Sequence, residues 1–458
     1  MRRAPDLTGA TGAVSAGITG VLAALVVLWV HAGGLVTLPL VRVDLLHPVY
    51  VGLAVVALVI ALSPRIWRSI PTLCLVLVWA AVAVVAPRAL EVAPDHVLGE
   101  REVIALSYCA VLSLAFLVFA RRGGLRWSWI GWMAGLLLVG SIGVWELVTE
   151  NHLWVTPERP FPFRERVAVA TYVNPNNFGI VLLSMLAVAL AWRACARPRW
   201  LRMLLTVAAA FAAVMVMASQ SRAAVLGLLV LGVLEFRRAT ASRPGLVRRL
   251  IARHKVAVAA LGAAMVAVVV ALFTVPALAA RNPVRQMLLA ALEPETARSD
   301  MLRITLIREA LGYWRDSGYL GTGAGSFEPI NWNDPNSAIE IEANLHNAFV
   351  ELLIQYGPLP ALTLAALMLL LIWIAVRTRP NAALRPRVAA VRSEMLGHLV
   401  AFVALGFTAS SSLALPVWWI MLAAATLNGA WLLDHTQRKP RPTLDARDAA
   451  DRQAHESV

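Results

Sequence analysis

Residues 203–236 read MLLTVAAAFAAVMVMASQSRAAVLGLLVLGVLEF, an apolar run that is interrupted only at Ser219-Gln220-Ser221-Arg222. A spanning helix needs about 20 mostly apolar residues, so the run holds one long tilted helix or two short ones. One helix would put the basic clusters at Arg193–Arg202 and Arg237–Lys255 on opposite sides of the membrane. A tight turn at the polar break keeps both clusters on one side. We therefore predict a hairpin, with Arg222 at the outer end of its second helix.

The rest of the chain repeats this pattern of apolar segments between hydrophilic breaks. Hydrophobic residues make up 59% of the 458 residues and the mean hydropathy is +0.70, more apolar surface than a soluble domain can hide from water. The apolar runs are continuous, without the alternation of a membrane β-barrel. We predict an all-α polytopic membrane protein with about twelve transmembrane helices, at 14–32, 48–63, 69–87, 103–120, 127–149, 174–192, 203–218, 223–236, 256–276, 348–376, 395–412 and 415–433.

Charge is distributed unevenly over the hydrophilic breaks. Most of the 41 Lys and Arg residues fall in every second break, whereas the acids concentrate in the other breaks. Because Lys and Arg in short loops stay in the cytoplasm, this pattern predicts that both termini are cytoplasmic. It also explains the net charge of +14 without nucleic-acid binding. The three cysteines lie in apolar runs and are predicted to be small core residues: Cys74, Cys109 and Cys195.

The predicted topology divides the chain into five parts. They are helices 1–5 (1–149), helices 6–9 with an outer loop at 150–173 (150–276), a large extracytoplasmic loop (277–347), helices 10–12 (348–435) and a cytoplasmic tail (436–458).

Two patterns stand out in the large loop. Apolar residues at helical spacing predict an amphipathic helix at 298–316, which could lie on the membrane surface or cap a cavity: Met301, Ile304, Ile307, Leu311 and Trp314. The glycine-rich segment 321–326 (GTGAGS) follows this helix. It lacks the Lys-Ser/Thr ending of a phosphate-binding loop and does not follow a strand, so we interpret it as a turn.

Arg222 is the first candidate functional residue, because an arginine within an apolar segment is costly and usually serves function or a buried pair. The alternative is that its charged end only extends to the outer membrane interface. A guanidinium group grips phosphate with two hydrogen bonds, so the functional interpretation of Arg222 is anion binding.

His346 is the second candidate and lies where the large loop re-enters the membrane. A histidine at a helix start is commonly structural, but this one is predicted to share the outer face with Arg222. A neutral imidazole can take a proton from a hydroxyl, so His346 is a candidate general base. Glu340, Glu342 and His346 match no strong metal-ligand spacing, and we predict no metal.

Residues 174–177 (NPNN) open the sixth predicted helix on the outer side. The free N–H groups of a helix start can bind phosphate, and they can equally be satisfied by simple capping. Both interpretations of this segment stay open.

At these residues the chain resembles the bacterial O-antigen ligase and O-antigen polymerase family. Arg222-Ala223-Ala224-Val225-Leu226 matches a ligase pattern of Arg, three residues and Leu. Residues 303–311 (RITLIREAL) and 321–327 (GTGAGSF) resemble the Arg-led helix and glycine-rich turn of the family. His346-Asn347, followed by Gly357, matches the ligase His-Asn…Gly pattern. Pro360 stands where that pattern has Gly, Thr or Tyr, a departure that favours the polymerase branch at this position.

This resemblance implies a glycosyltransferase in the bacterial cytoplasmic membrane. It implies transfer of a glycan from undecaprenyl pyrophosphate to a hydroxyl of a glycan or lipid acceptor, without cofactor, nucleotide or metal. His346 would act as general base and Arg222 would stabilise the departing pyrophosphate. The substrate-binding residues would be Arg303, Arg298, Asn176 and Asn347.

Three other functions compete with a ligase. A polymerase of the same family would join lipid-linked repeat units and differs from a ligase only in its acceptor. A transporter of lipid or polysaccharide would favour charges near the midpoints of its helices, of which we find few, since Glu146 and Arg222 lie near helix ends. A non-catalytic scaffold would need neither Arg222 nor His346.

Overall fold

The computed structural model describes residues 7–36, 67–153, 167–172, 174–242, 294–337, 344–378, 384–408 and 412–436, with four scattered positions between 263 and 275. Its α-helices are α1 (Leu7–Val36), α2 (Ile70–Glu91), α3 (His96–Gly123), α4 (Leu125–Thr149), α5 (Pro175–Cys195), α6 (Arg199–Ala218), α7 (Arg222–Ser242), α8 (Pro294–Asp316), α9 (Phe327–Asn333), α10 (Ala348–Tyr356), α11 (Pro358–Arg377), α12 (Arg385–Thr408) and α13 (Pro416–Thr436). Short 3-10 helices cover Ala170–Tyr172 and Ser412–Ala414. The described ranges contain no strand, so the predicted all-helical class is confirmed there.

Within the described ranges, 9 helices are long and apolar enough to cross a membrane, namely α1 to α6 and α11 to α13. α7 is a helix where a span was predicted, but it is not among the nine. The predicted spans at 48–63 and 256–276 lie outside the described residues, apart from a few scattered positions in the second. The total of twelve therefore stays a prediction.

The predicted hairpin of α6 and α7 is present, and both helices pack against α5. At the start of α5, Asn176 Oδ1 accepts a 2.8 Å hydrogen bond from Ser221 Oγ in the hairpin turn. Near the other end of α5, Arg193 Nε donates a 2.7 Å hydrogen bond to Thr206 Oγ1 in α6. α6 therefore runs antiparallel to α5, and the turn before Arg222 lies beside the start of α5.

Residues 348–376 do not form the single helix that was predicted. α10 ends at Tyr356 and α11 begins at Pro358, because Gly357 has a φ of +83° and a proline starts the next helix. A Cβ atom at Gly357 would lie 2.7 Å from the carbonyl oxygen of Leu320, so a larger residue does not fit. The break makes α10 a separate helix of 9 residues.

Contacts along α12 show which helix ends lie together. Near its start, Ser393 donates a hydrogen bond to Glu235 of α7. Near its end, Gly406 lies beside the ring of Phe349 in α10. We call the end of the bundle at which α10 begins the site end, and the end at which α12 begins at Arg385 the basic end.

α5 and α13 form the centre of the bundle and are buried along most of their length. α12 packs against both, and α3 packs against α13. The rings of Phe402 and Trp418 stack 4.3 Å apart between α12 and α13. Small residues allow the closest helix approach, since a Cβ atom at Gly123 would lie 2.3 Å from the Cα atom of Gly20 in α1.

The interior also contains a carboxyl group and an imidazole, Glu394 and His398, which are 1% and 0% exposed. His398 lies within the predicted span at 395–412, whereas Glu394 was left just outside it, because α12 begins at Arg385, well before the predicted start. Glu394 Oε2 accepts a 2.8 Å hydrogen bond from Trp129 Nε1. Because polar groups within a bilayer are costly without partners, this contact ties α4 to α12.

Glu146, fully buried near the end of α4, fastens the segment that precedes α5. Its Oε2 accepts hydrogen bonds of 2.8 and 2.7 Å from the N–H groups of Val169 and Ala170. The Tyr172 hydroxyl is hydrogen-bonded to the ring of His31 in α1. These contacts fix the position at which α5 begins.

α8 confirms the helix predicted at 298–316, but its buried face differs from the prediction. Leu306 and Ala310 are fully buried in a small cluster with residues of α9 and α10. Met301 and Ile304, which were predicted on the apolar face, are 62% and 52% exposed. Contact with α10 therefore decides which side of α8 is buried, and the largest apolar side chains near its start stay outside.

Candidate functional site

The glycine-rich segment 321–326 is a turn, as predicted, and it connects three helices at the site end. The Thr322 N–H donates a 2.7 Å hydrogen bond to the Ile354 carbonyl in α10, and the Ala324 N–H donates a 2.8 Å bond to the Ala89 carbonyl in α2. Gly323 has a φ of +109°, and a Cβ atom there would lie 2.8 Å from the backbone between α2 and α3. Only glycine allows this close approach.

A cavity of about 250 Å³ lies between this turn, α3 and α10. Leu98 and Phe327 contribute apolar walls. The polar lining contains carboxyl, amide and guanidinium groups: Arg101, Glu102, Glu328, Asn344, Glu351 and Gln355. This combination of a concave site with a few convergent polar groups is typical of small-molecule binding sites.

Glu102 projects from α3 and is held by α10. The Tyr356 hydroxyl donates a 2.8 Å hydrogen bond to Glu102 Oε1. The Gln355 side chain and the Gly325 N–H also lie within hydrogen-bonding reach of this carboxyl group. Burial and the nearby charge of Glu102 raise the pKa of Tyr356 well above its ordinary value, so its hydroxyl remains a donor.

Glu351, one turn before Gln355 on α10, is only 7% exposed, and its Oε2 has no hydrogen-bond partner. Burial and the charge of Glu102 raise the pKa of Glu351 to about 8. The cavity therefore combines a carboxyl group that is hydrogen-bonded with one whose raised pKa favours the protonated form. Sequence analysis did not single out Glu102 or Glu351, because nothing in their spacing shows that α3 and α10 meet.

His346 lies just before α10 and has a left-handed backbone, with a φ of +51°. Asn344 Oδ1 accepts a 2.9 Å hydrogen bond from its N–H. Such a conformation costs about 1–3 kcal/mol outside glycine and is concentrated at functional sites. Asn344 and Leu345 precede His346, and Asn344 lines the polar cavity.

Asn347 caps α10. Its Oδ1 accepts hydrogen bonds of 3.2 and 3.1 Å from the N–H groups of Phe349 and Val350, and the residue is 3% exposed. The contact of Asn347 with substrate stays a prediction. Its structural role is to fix the backbone that follows His346.

An apolar groove of about 260 Å³ lies on the other side of α10. Phe349 and Leu352 form its α10 side, and α11 and α12 supply the remainder: Ala361, Leu364, Ala365, Met368, Val403 and Phe407. Phe407 is 52% exposed, so the groove opens on the outside of the bundle. α10 thus separates a polar cavity from an apolar groove.

Arg222 and Asn176 lie close together at the site end. Asn176 accepts the hydrogen bond from Ser221, the residue that precedes Arg222, and the Arg222 side chain is exposed. Asn174 Oδ1 accepts a 2.8 Å hydrogen bond from the Asn176 N–H and caps α5. The capping interpretation of this helix start is confirmed, and phosphate binding there stays a prediction.

The structure does not bring all predicted arginines to one point. Arg303 lies half-buried on α8, which packs against α10, whereas Arg308 is exposed. Arg298 lies in a part of α8 whose side chains are not described, and Glu340 and Glu342 lie outside the described residues. α12 contacts both α7 and α10, so it connects the helix that begins at Arg222 with the helix that follows His346.

This fold and site define a multi-pass membrane protein with a polar cavity and an apolar groove on either side of one short helix. Residues 207–365, from α6 into α11, match the family model described as O-antigen ligase. The match contains Arg222, Arg303 and His346 and confirms the resemblance found in the motifs. No curated protein matches the chain.

Proposed function

We propose that this protein is a membrane glycosyltransferase that moves a glycan from undecaprenyl pyrophosphate to an acceptor hydroxyl at the outer face of the bacterial cytoplasmic membrane. The observation that carries the proposal is the position of α10, between a polar cavity and an apolar groove, within the region that matches the family. A lipid-linked sugar needs both environments at once: the groove suits a polyprenyl chain, and the cavity suits sugar hydroxyls.

In the proposed reaction, the bond between the sugar C1 atom and the pyrophosphate oxygen breaks, and the acceptor oxygen bonds to C1. The acceptor hydroxyl gives its proton to His346, and undecaprenyl pyrophosphate leaves. Arg222 and Arg303 stabilise the negative charge that grows on the leaving group, with Asn176 and Arg298 as further contacts to the phosphates. No step requires a nucleotide or a metal.

A polymerase of the same family is the second candidate function. It would use the same donor and the same His346, with a second lipid-linked repeat unit as acceptor. Pro360, buried in the first turn of α11, is the observation that favours it, because the ligase pattern has Gly, Thr or Tyr there.

The proposal predicts that Arg222→Ala and His346→Ala each reduce glycan transfer by at least about 100-fold, the usual contribution of a general acid or base or of an electrostatic donor. The measurement is mass spectrometry of the lipid-linked glycan in a deletion strain that carries each variant. Long unattached chains on the lipid would show a ligase, and accumulated single repeat units would show a polymerase.

Two matched variants control this experiment. Arg199→Ala removes an exposed arginine at the basic end, and His96→Ala removes an exposed histidine at the start of α3. Both control variants should transfer glycan at the wild-type level. Normal product from Arg222→Ala and His346→Ala, with all proteins present in the membrane, would contradict the site, and an unchanged lipid-linked pool in the deletion strain would contradict the function.

A further inference from the structure

The cavity beside α10 contains one buried polar atom that the protein itself leaves unsatisfied. Glu351 lines the cavity and is only 7% exposed to solvent, and its Oε2 atom has no hydrogen-bond partner. An unsatisfied buried polar group costs about 1–3 kcal/mol. An unsatisfied polar atom that faces a cavity is a position at which a ligand can supply the missing partner.

We propose that Glu351 binds a hydroxyl group of the acceptor sugar, with Glu102 and Tyr356 as positioning residues; this inference rests on the proposed function. The surrounding groups fit a sugar. Asn344 and Gln355 provide amides, and Arg101 provides a guanidinium group, so the cavity offers both donors and acceptors. Its volume of about 250 Å³ lies just below the roughly 300–1,000 Å³ of common ligand pockets, which suits one sugar unit.

The protonation of the Glu351 carboxyl group favours a hydroxyl group over a cation as its ligand. Burial and the charge of Glu102 raise the pKa of Glu351 to about 8, which favours the neutral carboxyl group, with one donor and free acceptor positions. A hydroxyl has the complementary donor and acceptor. A metal ion instead requires deprotonated ligands. Glu351 keeps its proton throughout, because the proton of the attacking hydroxyl goes to His346 in the proposed reaction.

The test measures the KM for the acceptor on either side of pH 8, with the full-length protein in nanodiscs. The donor is the lipid-linked glycan extracted from the native membrane, and the acceptor is the native surface glycolipid or, for a polymerase, a second lipid-linked unit. We expect the wild-type acceptor KM to rise by up to about tenfold per pH unit above the pKa of Glu351, because the protonated form is lost there.

The variants separate binding from folding. Glu351→Gln is permanently neutral, so its acceptor KM should lose the part of the pH dependence that comes from Glu351. Glu351→Ala should raise the acceptor KM about tenfold at neutral pH, the loss of one hydrogen bond. The donor KM should not change in either. Glu100→Gln, an exposed acid on α3, is the control and should keep the wild-type pH profile.

The outcomes distinguish this inference from the proposed function. If the wild-type protein makes no transfer product, the function fails. If it does, and both Glu351 variants keep the wild-type acceptor KM and pH profile, only this inference is overturned. A chelator that raises the wild-type acceptor KM, but not that of Glu351→Gln, would overturn the hydroxyl in favour of a cation.

A different observation at the basic end carries a second inference. A cavity of about 590 Å³ lies between α7, α11 and α12 and contains four arginines: Arg237, Arg238, Arg385 and Arg392. Arg238 is paired with Glu235, at 2.8 Å between Arg238 Nε and Glu235 Oε2. None of the cavity's described lining residues is an acid. The other three guanidinium groups are therefore available to a ligand with negatively charged oxygens.

The apolar residues that line this cavity favour an anion that also carries a hydrocarbon chain. Leu234, Ile372 and Val376 line it, and Val376 is 74% exposed on the outside of the bundle. Positive charge at this end is expected from the topology, but topology does not gather four arginines from two helices around one cavity with apolar walls. We infer that the cavity binds the phosphate headgroup of an anionic phospholipid, whose acyl chains lie along the apolar wall.

Native mass spectrometry tests this inference with the full-length protein released from nanodiscs of phosphatidylcholine and phosphatidylglycerol. The variant Arg237→Gln/Arg385→Gln/Arg392→Gln should retain about tenfold less phosphatidylglycerol than wild type. The control Arg197→Gln/Arg199→Gln/Arg202→Gln removes the same charge from positions just before and at the start of α6, which do not line this cavity, and should retain the lipid. Equal losses in both variants would overturn the site, and binding of inorganic phosphate as tight as that of the lipid would overturn the lipid assignment.

Discussion

At the scale of single residues, Asn347 has two possible roles, as the cap of α10 and as a contact to substrate, and one substitution separates them. Its Oδ1 accepts from two N–H groups of α10, so Asn347→Ala should cost about 1 kcal/mol of stability and displace the backbone beside His346. Asn347→Asp keeps the accepting oxygen and should retain both the melting temperature and glycan transfer. Circular dichroism of the detergent-solubilised protein and the transfer assay measure the two effects. Loss of transfer in Asn347→Asp at unchanged stability would show that the amide NH₂ group contacts substrate.

The predictability of the site also differs from residue to residue. Arg222 and His346 were singled out in the sequence because an arginine in an apolar run is costly and because His346 lies where the large loop re-enters the membrane. The family match contains both residues, and their roles stay predictions. Glu102 and Glu351 were not found, because their meeting depends on the packing of α3 against α10, more than 200 positions apart in the chain. Asn176 was proposed as a phosphate ligand, and its contact with Ser221 became visible only in three dimensions.

At the scale of elements, apolar length and charge were enough to predict most helices, and local backbone chemistry decided the rest. The hairpin of α6 and α7 follows from charge on its two flanks. Gly357-Pro358 indicates a break between α10 and α11. One helix was predicted instead, because the sequence is apolar on both sides of this pair. The buried face of α8 could not be predicted, since it depends on which side meets α10. This break matters for the site, because it lets α10 turn one face to the polar cavity and the other to the apolar groove.

At the scale of the whole molecule, α12 holds the bundle together, because it packs against α5, α7 and α13. Its buried Glu394 depends on the 2.8 Å hydrogen bond from Trp129 Nε1. Trp129→Phe should leave the Glu394 oxygen unsatisfied and reduce stability by about 1–3 kcal/mol, seen as a lower melting temperature by circular dichroism in detergent. Replacing both partners, in Trp129→Phe/Glu394→Gln, should recover part of that loss, because a neutral side chain costs less to bury. Equal melting temperatures for the single variant and wild type would show that this contact does not stabilise the bundle, because the apolar packing and the other polar contacts of α12 would then hold it in place without the Trp129 hydrogen bond.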